Sequence, residues 1–369
     1  MQVAAYEVQL NAAQILPGVM DVLTSGWITE GQVGEKLETA WKALTGQPHA
    51  VAVSSGQNAL EIALRGLVRG RQGWKVIVPA NAFSGDAAAV LRAACLPLFV
   101  DVDGTMQLDV EEVAACDERE IAGVIAVHIG GWINQRMGKL AALCRARRWF
   151  LIEDACHAHG SRLDGSPAGS WGDAAVFSFY ATKVVTCGEG GMMVTPHEEL
   201  AQYARRARNN GRDSVRDREA QLVAGDCRLS DILASIALHQ TRMLPMLIAE
   251  REFYAKLYDQ AIGESEEWVP LRVPGCDPNW YKYILLLQQG GRSELVSRLA
   301  REGIACSGRV YESAVYDQPA FVPWQGGAKC PHAEWLCENH VALPLFNGLG
   351  LERALYVQRS LWAVREASA

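Results

Sequence analysis

The chain has 369 residues, 49% of them apolar, and a formal net charge of −7. Length and apolar content predict a sizeable core with a smaller domain beside it. The negative balance argues against nucleic acid or an anionic membrane as partner, since both require concentrated Lys and Arg.

No apolar run approaches the roughly 18–20 residues that a membrane span needs. The N-terminus, MQVAAYEVQLNAAQ, has no basic region ahead of an apolar stretch. No secretory signal is therefore expected, and a cytoplasmic location is. Of ten cysteines, Cys95, Cys116, Cys144, Cys156, Cys187 and Cys227 fall in separate segments, and no C-x-x-C pair exists. A disulfide framework belongs to small secreted chains, so free and mostly buried thiols are expected, with no metal site.

From about residue 50 to 195, short apolar runs alternate with helical patterns. The runs are AVAVS (50–54), KVIVP (75–79), LPLFVDV (96–102), IAGVIAVHI (121–129), FLIEDA (150–155), AAVFSFY (174–180) and GGMMVT (190–195). Several are apolar on successive residues, as in strands covered on both faces. Leu60, Ala63, Leu64 and Leu67 repeat at helical spacing between the first two, and Leu140, Leu143 and Cys144 between the fourth and fifth. This alternation predicts an α/β fold with a mainly parallel sheet, whose ligands bind outside the carboxyl ends of the strands.

Three places along these strands carry candidate chemistry. SSGQNALEIAL (54–64) passes from a strand through small residues into a helix. Free N–H groups and the helix dipole can make an anion site there, although these residues by themselves favour a plain N-cap by Ser54 or Ser55. FLIEDACHAHG delivers Asp154 at a strand's carboxyl end. A buried carboxylate needs a cation, and a protonated pyridine nitrogen, an Arg or a helix N-terminus would each serve. His157 and His159 follow closely and read as hydrogen-bonding or core histidines. In SFYATKVVTCGEGG (178–191), Lys183 follows a strand among apolar residues, ahead of a glycine-rich turn. A lysine there loses hydration and becomes a usable amine nucleophile.

Beyond residue 228 the pattern changes. RLSDILASIALHQTRMLPMLIAEREFYAKLY (228–258) reads as one long helical stretch that Pro245 should kink or split. NWYKYILLL (279–287) and HVALPLF (340–346) read as strands, and SELVSRLAREG (293–303) as a helix ending at Gly303. A large domain over 1–245 and a smaller α+β domain over 246–369 are expected. No G-x-G-x-x-G follows any predicted strand, which argues against a nicotinamide enzyme.

In this order the segments resemble the DegT/StrS-type sugar aminotransferases, within the fold-type I enzymes that use pyridoxal 5′-phosphate (PLP). The resemblance runs from SGWITEGQVGEKLETAW (25–41) through SSGQNALEIAL, VIVPANAFSGDAAAV (76–90), LFVDVD, VHIGG, EDACHAHG, SFYATKVVTCGEGG and RLSDILASIALHQ to NWYKY, GIACSGRVYE (303–312) and ALPLF. It implies a seven-stranded, mostly parallel sheet in the large domain. It implies that Lys183 holds PLP as a Schiff base and later moves the substrate proton, and that Asp154 pairs with the pyridine nitrogen. Phe83 would stack on the ring, His157 would sit near its phenolic oxygen, and Gly56, Gln57 and Ser178 would hold the phosphate. Trp27, His128 and Tyr311 resemble positions near the sugar pocket.

The chain departs from the family pattern at two of these places. Gln57 stands where the family usually has Thr, and its amide still donates. Asp226 stands where the family usually has an Asn that reaches the phosphate of the neighbouring subunit. At a separation of ~4 Å, two unit charges repel by about 4 kcal/mol at an effective dielectric of 20. Asn209 and Asn210 are candidate substitutes.

The resemblance further implies transfer of an amino group from an amino-acid donor, usually glutamate, to a keto-sugar, most often nucleotide-linked. Pyridoxamine 5′-phosphate is the intermediate form of the cofactor. A keto-cyclitol or free keto-sugar acceptor, a PLP-dependent sugar deaminase and a non-enzymatic regulatory protein remain as alternatives. A homodimer with the active site at its interface is expected.

Overall fold

The structure is a computed structural model that describes residues 1–117, 119–214, 216–306 and 309–366. Residues 307 and 308, within the 303–312 motif, lie outside the described residues.

All seven apolar runs form strands. They are β1 (His49–Val53), β2 (Lys75–Pro79), β3 (Leu96–Val100), β4 (Ile121–Val127), β5 (Phe150–Asp154) and, after the short β6 (Arg162–Leu163) and β7 (Ser166–Pro167), β8 (Ala174–Ser178) and β9 (Gly191–Thr195). The seven longer strands make one sheet in the order β1-β9-β8-β5-β4-β2-β3. The pairs β8–β5, β5–β4, β4–β2 and β2–β3 are parallel, while β9 runs antiparallel between β1 and β8. An antiparallel neighbour needs no crossover helix, so the β8–β9 connection is a compact turn, and Lys183 rides on it.

The apolar runs follow from burial on both faces. Val51, Val53, Val76, Val78, Ile152 and Val176 join one core, and Ala50, Ala52, Ile77, Leu151 and Phe177 join the other. On the first face lie α3 (Gly56–Val68), α4 (Ser84–Arg92) and α7 (Glu198–Arg208), through residues such as Leu60, Leu64, Val90 and Leu200. On the second lie α2 (Gln32–Thr45) and α6 (Met137–Arg147), through Leu37, Trp41, Leu140 and Cys144. The short α5 (Val110–Ala115) packs beside α6, and α1 (Ala12–Ser25) leads into α2.

One expectation about the long helix is corrected: Pro245 does not split it. α8 (Asp231–Ile262) continues through Pro245 without a break. Its first half packs Ala234 and Leu238 on the sheet core and its second half packs Tyr254 and Tyr258 on the C-terminal core, so both sides of the proline are anchored. By length and composition α8 also qualifies as a membrane span. Its packing identifies a core helix: it lies against α1, α2 and α11 (Leu351–Glu366) and buries Arg251.

A second antiparallel sheet has the order β10-β12-β13, from Trp268–Pro270, Tyr283–Leu287 and His340–Leu343. It packs with α9 (Arg292–Arg301), α10 (Pro331–Glu338) and α11. The two-residue β11 (Cys276–Asp277) pairs with β6. The strand predicted from residue 279 begins only at Tyr283. Trp280 has φ +56°, and the Asn279 side chain bonds the His157 and His159 carbonyls and the Tyr281 N–H, so this stretch is an irregular turn. The strand predicted to 346 stops before Pro344, which has no N–H to give a ladder.

The N-terminus crosses to the C-terminal elements. Val3 pairs in parallel with Ile304, and Glu7 forms an ion pair with Arg353 at 2.9 Å. All ten cysteines are free thiols.

Candidate active site

At the carboxyl ends of the parallel strands lies a cavity of about 440 Å³. Its walls include Gly56, Gln57, Phe83, Asp154, His157, Ser178, Lys183 and Tyr311. These eight of the ten residues singled out from sequence come from five separate segments, and the sheet order brings them together. β5 and β8 are parallel neighbours with Asp154 opposite Val176, so Asp154 and Ser178 both stand at the carboxyl ends of adjacent strands.

The N-terminus of α3 forms one wall. Ser55 is its N-cap, with Oγ accepting from Asn58 N at 3.1 Å. Cap and anion site are therefore the same structure: the cap serves Asn58, while the first N–H groups of a helix, here at Gly56 and Gln57, have no intrahelical partner. Gly56 is required by close packing. A Cβ there would stand 2.9 Å from both Cys156 Sγ and Ser178 Cβ. Gln57 Nε2 donates to Gly85 O at 2.9 Å, tying α3 to α4 across the cavity floor. Phe83 is the N-cap residue of α4, 54% exposed, with its ring 6.2 Å from that of Tyr311. An apolar ring left this open at a cavity mouth is available to another flat group.

Lys183 sits in the turn after β8. Its N–H donates to Tyr180 O at 2.9 Å, and its Nζ lies 4.7 Å above the centre of the Tyr281 ring. Thr186 Oγ1 bonds Phe179 O and the Gly188 N–H, and Gly188 takes φ +91°, closing the turn into β9. The Tyr281 phenol oxygen lies 3.1 Å from Thr182 Oγ1, at hydrogen-bond distance. Burial alone would raise the Tyr281 phenol; Lys183, Lys282 and Thr182 together outweigh it and hold the phenol below its ordinary value.

Asp154 Oδ1 accepts from Cys156 N at 2.9 Å. His157 is buried, its ring tilted by 34° against that of Tyr281 at 4.4 Å, with Nδ1 accepting from Gly130 N at 3.3 Å. Burial, with Lys183 nearby, holds it well below the usual histidine range, so it is neutral. His159 points to the opposite face, between Trp41 and Phe177, with Nε2 2.8 Å from Ser178 O. The Tyr311 phenol is raised well above its ordinary value by burial and by the carboxyls of Asp154 and Asp86.

Two expected pocket residues lie elsewhere in this chain. His128 does not face the cavity. Its ring is fully buried, with Nε2 2.9 Å from Glu153 Oε2. The reason is the pleat: Glu153 and Asp154 point to opposite faces of β5, and His128 follows Glu153. Trp27 lies between α1 and α2, with Nε1 bonded to Glu30 O at 2.8 Å. It lines a separate cleft of about 810 Å³, together with Arg208 and Asn209. Asp226 is half-exposed and pairs with Arg228, which also bonds Asn209 Oδ1 at 2.6 Å. Asn209 is thus engaged within its own chain, and the Asp226 charge is answered by Arg228.

Sequence reasoning missed Asp86, Tyr281, Lys282 and Arg309, all on the cavity wall. Asp86 reads as an ordinary acid in a helix's first turn. Tyr281 and Lys282 lie in a stretch read as strand, and only the turn at Trp280 aims them inward.

This frame, an open and mostly parallel seven-stranded sheet with a lysine on the turn after one strand and a carboxylate at the end of its neighbour, is that of the fold-type I PLP enzymes. The chain belongs to the DegT/DnrJ/EryC1/StrS aminotransferase family, whose profile matches residues 10–361. It is 28% identical to S. venezuelae DesV, solved with a ketimine intermediate, with a TM-score of 0.92 over 99% of both chains. It is 25% identical to Spr1654 of Streptococcus pneumoniae, designated a sugar aminotransferase and solved in a PLP form, with a TM-score of 0.91 over 100% of both chains. An uncharacterised protein of Methanocaldococcus jannaschii is 29% identical over 347 residues, 89% of each chain.

Proposed function

We propose that this aminotransferase moves an amino group from an amino-acid donor, glutamate by expectation, to the ketone of a sugar, and that the sugar is nucleotide-linked. The observation that carries the reading is that the Lys183 amine and the Asp154 carboxyl open into one cavity from adjacent parallel strands. The similarity to Spr1654, designated a sugar aminotransferase, supports the acceptor class.

The cavity suits PLP on its own chemistry. The N-terminus of α3, kept close to β8 by a glycine whose Cβ would collide with Ser178, offers N–H groups to a phosphate. Phe83 offers a flat apolar face, and Asp154 a buried acceptor for a pyridine N–H. When bound, PLP supplies the electron sink through which nitrogen leaves the donor and reaches the acceptor. Lys183 Nζ would be the attachment point for PLP and, as a free amine, the group that holds and returns the substrate proton. Asp154 balances the pyridinium charge. His157, held neutral, gives a hydrogen bond without adding charge. Gly56, Gln57 and Ser178 bind the phosphate, and Tyr311 closes the cavity on the substrate side.

Two further points belong to this reading. A large domain over 1–245 carries the seven-stranded sheet and a smaller one over 246–369 carries the sheet β10-β12-β13. The enzyme works as a homodimer in the cytoplasm, the cleft around Trp27 and Asn209 facing the partner's cofactor.

The test is spectroscopic and chemical. Wild type loaded with PLP shows the visible band of lysine-bound cofactor, loses it with glutamate, and regains it with an accepted keto-sugar while 2-oxoglutarate accumulates. Lys183→Ala shows no such band and no multiple turnover. Screening nucleotide-linked keto-sugars beside free keto-sugars and keto-cyclitols identifies the acceptor. Release of ammonia without 2-oxoglutarate would mean a deaminase instead.

A further inference from the structure

Arg251, in the second half of α8, is a buried cation whose hydrogen-bond partners are all neutral oxygens. Its Nε donates to Asn347 Oδ1 at 2.6 Å, and its Nη1 to the carbonyl oxygens of Trp280, Tyr281 and Leu345 at 3.2, 3.3 and 3.1 Å. A buried charge ordinarily stands against an opposite one. Here Glu250 reaches the guanidinium through an amide, Asn347 Nδ2 donating to Glu250 Oε2 at 2.8 Å. Burial lowers the guanidinium to about 10, which leaves it charged at neutral pH. Two of its four bonds close on one turn. Trp280 in that turn takes φ +56°, a conformation that a bulky residue keeps only when its surroundings hold it. Asn279 holds the turn from the N–H side, accepting from Tyr281 N at 2.9 Å, and Arg251 holds it from the carbonyl side. What the turn presents to the cavity is Tyr281. Its ring packs 4.4 Å from that of His157, its phenol oxygen lies 3.1 Å from Thr182 Oγ1, and Lys183 Nζ stands 4.7 Å above its centre.

We propose that Arg251 is a positioning residue for Lys183: it fixes the Trp280–Tyr281 turn, and the Tyr281 ring in turn holds the lysine amine in the cavity. The path has two links, the guanidinium bonds to the turn and the cation–π contact from the ring. The remaining bonds, to Leu345 and Asn347, tie the same guanidinium to the segment after β13. One group on α8 thus sets the smaller sheet and the cavity turn together. Arginine suits this task because its planar fork meets several carbonyls at fixed angles, where lysine offers one rotatable ammonium. Its charge also makes each bond stronger than a neutral donor would. The inference rests on the PLP reading for its purpose, since a lysine that captures a cofactor needs a defined place. The contacts themselves belong to the protein alone.

The test therefore starts with apoprotein. Its lysines are labelled with an amine reagent at fixed pH, and modification of Lys183 is followed by peptide mass spectrometry. A lysine released from the ring should react faster by about two- to fivefold, the ratio that one cation–π contact supports. Arg251→Met and Tyr281→Leu should each show this rise. Tyr281→Phe, which keeps the ring, should not. Arg251→Met added to Tyr281→Leu should bring no further rise, because the path through the ring is already cut. A Lys183 rate in Arg251→Met equal to that of wild type overturns the proposal. So does an Arg251 effect of full size in the Tyr281→Leu background, which a general loosening of the fold would give. If Arg251→Met does not fold, Arg251→Gln decides, since a neutral amide replaces the charged fork: an unchanged Lys183 rate overturns the proposal, and a rise that Tyr281→Leu absorbs supports it. With PLP added, the visible band of lysine-bound cofactor should form more slowly in Arg251→Met and in Tyr281→Leu alike; equal rates in all the proteins overturn the positioning role. A wild type that forms no band sinks the PLP reading and leaves the labelling result standing, so the two failures are distinguishable.

Discussion

At the scale of single residues, the site is built from groups whose environments set their charge. The adjacent acids Glu153 and Asp154 show how far one pleat separates two fates. Asp154 faces the cavity. Glu153 faces the opposite core, where it accepts from Gly169 N, Trp171 N, Gly172 N and His128 Nε2 at 2.8–2.9 Å. It pins the 169–172 loop beneath the strand that carries Asp154. Glu153→Gln turns one end of the acceptor into a donor and leaves at least one buried N–H unpaired. A loss of about 1–3 kcal/mol is expected, read from the midpoint of urea unfolding. Asp86 gives a pH prediction of defined sign. An unperturbed Asp titrates near 3.9, and in the folded protein Asp86 titrates well above that. Between the two values the folded state binds the extra proton, so stability falls as pH rises, by up to about 1.4 kcal/mol per pH unit. Asp86→Asn lacks this loss. Urea melts of the two apoproteins at pH values rising from about 4 should show the variant's advantage growing with pH.

At the scale of elements, the site depends on how closely β9 passes the start of α3. A Cβ at Gly191 would stand 2.4–2.6 Å from the Ser55 carbonyl and Gly56 N. These are backbone atoms and cannot step aside as a side chain can. Gly191→Ala must push α3 away from β8 and open the cradle that Gly56 and Ser178 form. Overpacking of this kind costs about 1–3 kcal/mol. The variant should melt lower than wild type and bind PLP more weakly, both measurable by thermal melts with and without cofactor. The strands were legible from sequence because burial on both faces writes continuous apolar runs. Their ends were less so. The runs at 96–102 and 121–129 overshoot β3 and β4 by two residues, since Asp101 and Val102 leave the sheet for side-chain bonds and His128 turns toward Glu153. The turn at Asn279–Lys282 was illegible, because its conformation is held by contacts with residues 157 and 159 from another element.

At the scale of the whole molecule, α1 leaves an apolar stripe uncovered. Leu16, Met20 and Leu23 lie at helical spacing and are each about half exposed, as are Trp27 and Ile28 just beyond. The stripe leads into the cleft that holds Trp27 and Asn209. A second copy of the chain is the occupant that the dimeric reading requires, and an apolar stripe beside a cleft of this kind suits one. Met20→Glu, alone or with Leu16→Glu, should shift sedimentation equilibrium toward monomer and reduce turnover. A wild-type protein that stays monomeric at high concentration with full activity would remove this part of the reading.

The sequence by itself determined the strands, the order of motifs and the lysine, because hydrophobic periodicity and small-residue turns are local and survive without a fold. Lys183, Asp154 and the Gly56 helix start could all be singled out in this way. Only the tertiary structure decided which side each of them faces and who stands opposite. It turned His128 toward Glu153, set Trp27 in another cleft, answered Asp226 with Arg228 and put the buried Asp86 on the wall of the Lys183 cavity. The reason is that a side chain's direction depends on the pleat and its charge depends on its neighbours, and those neighbours come from segments far apart in the chain.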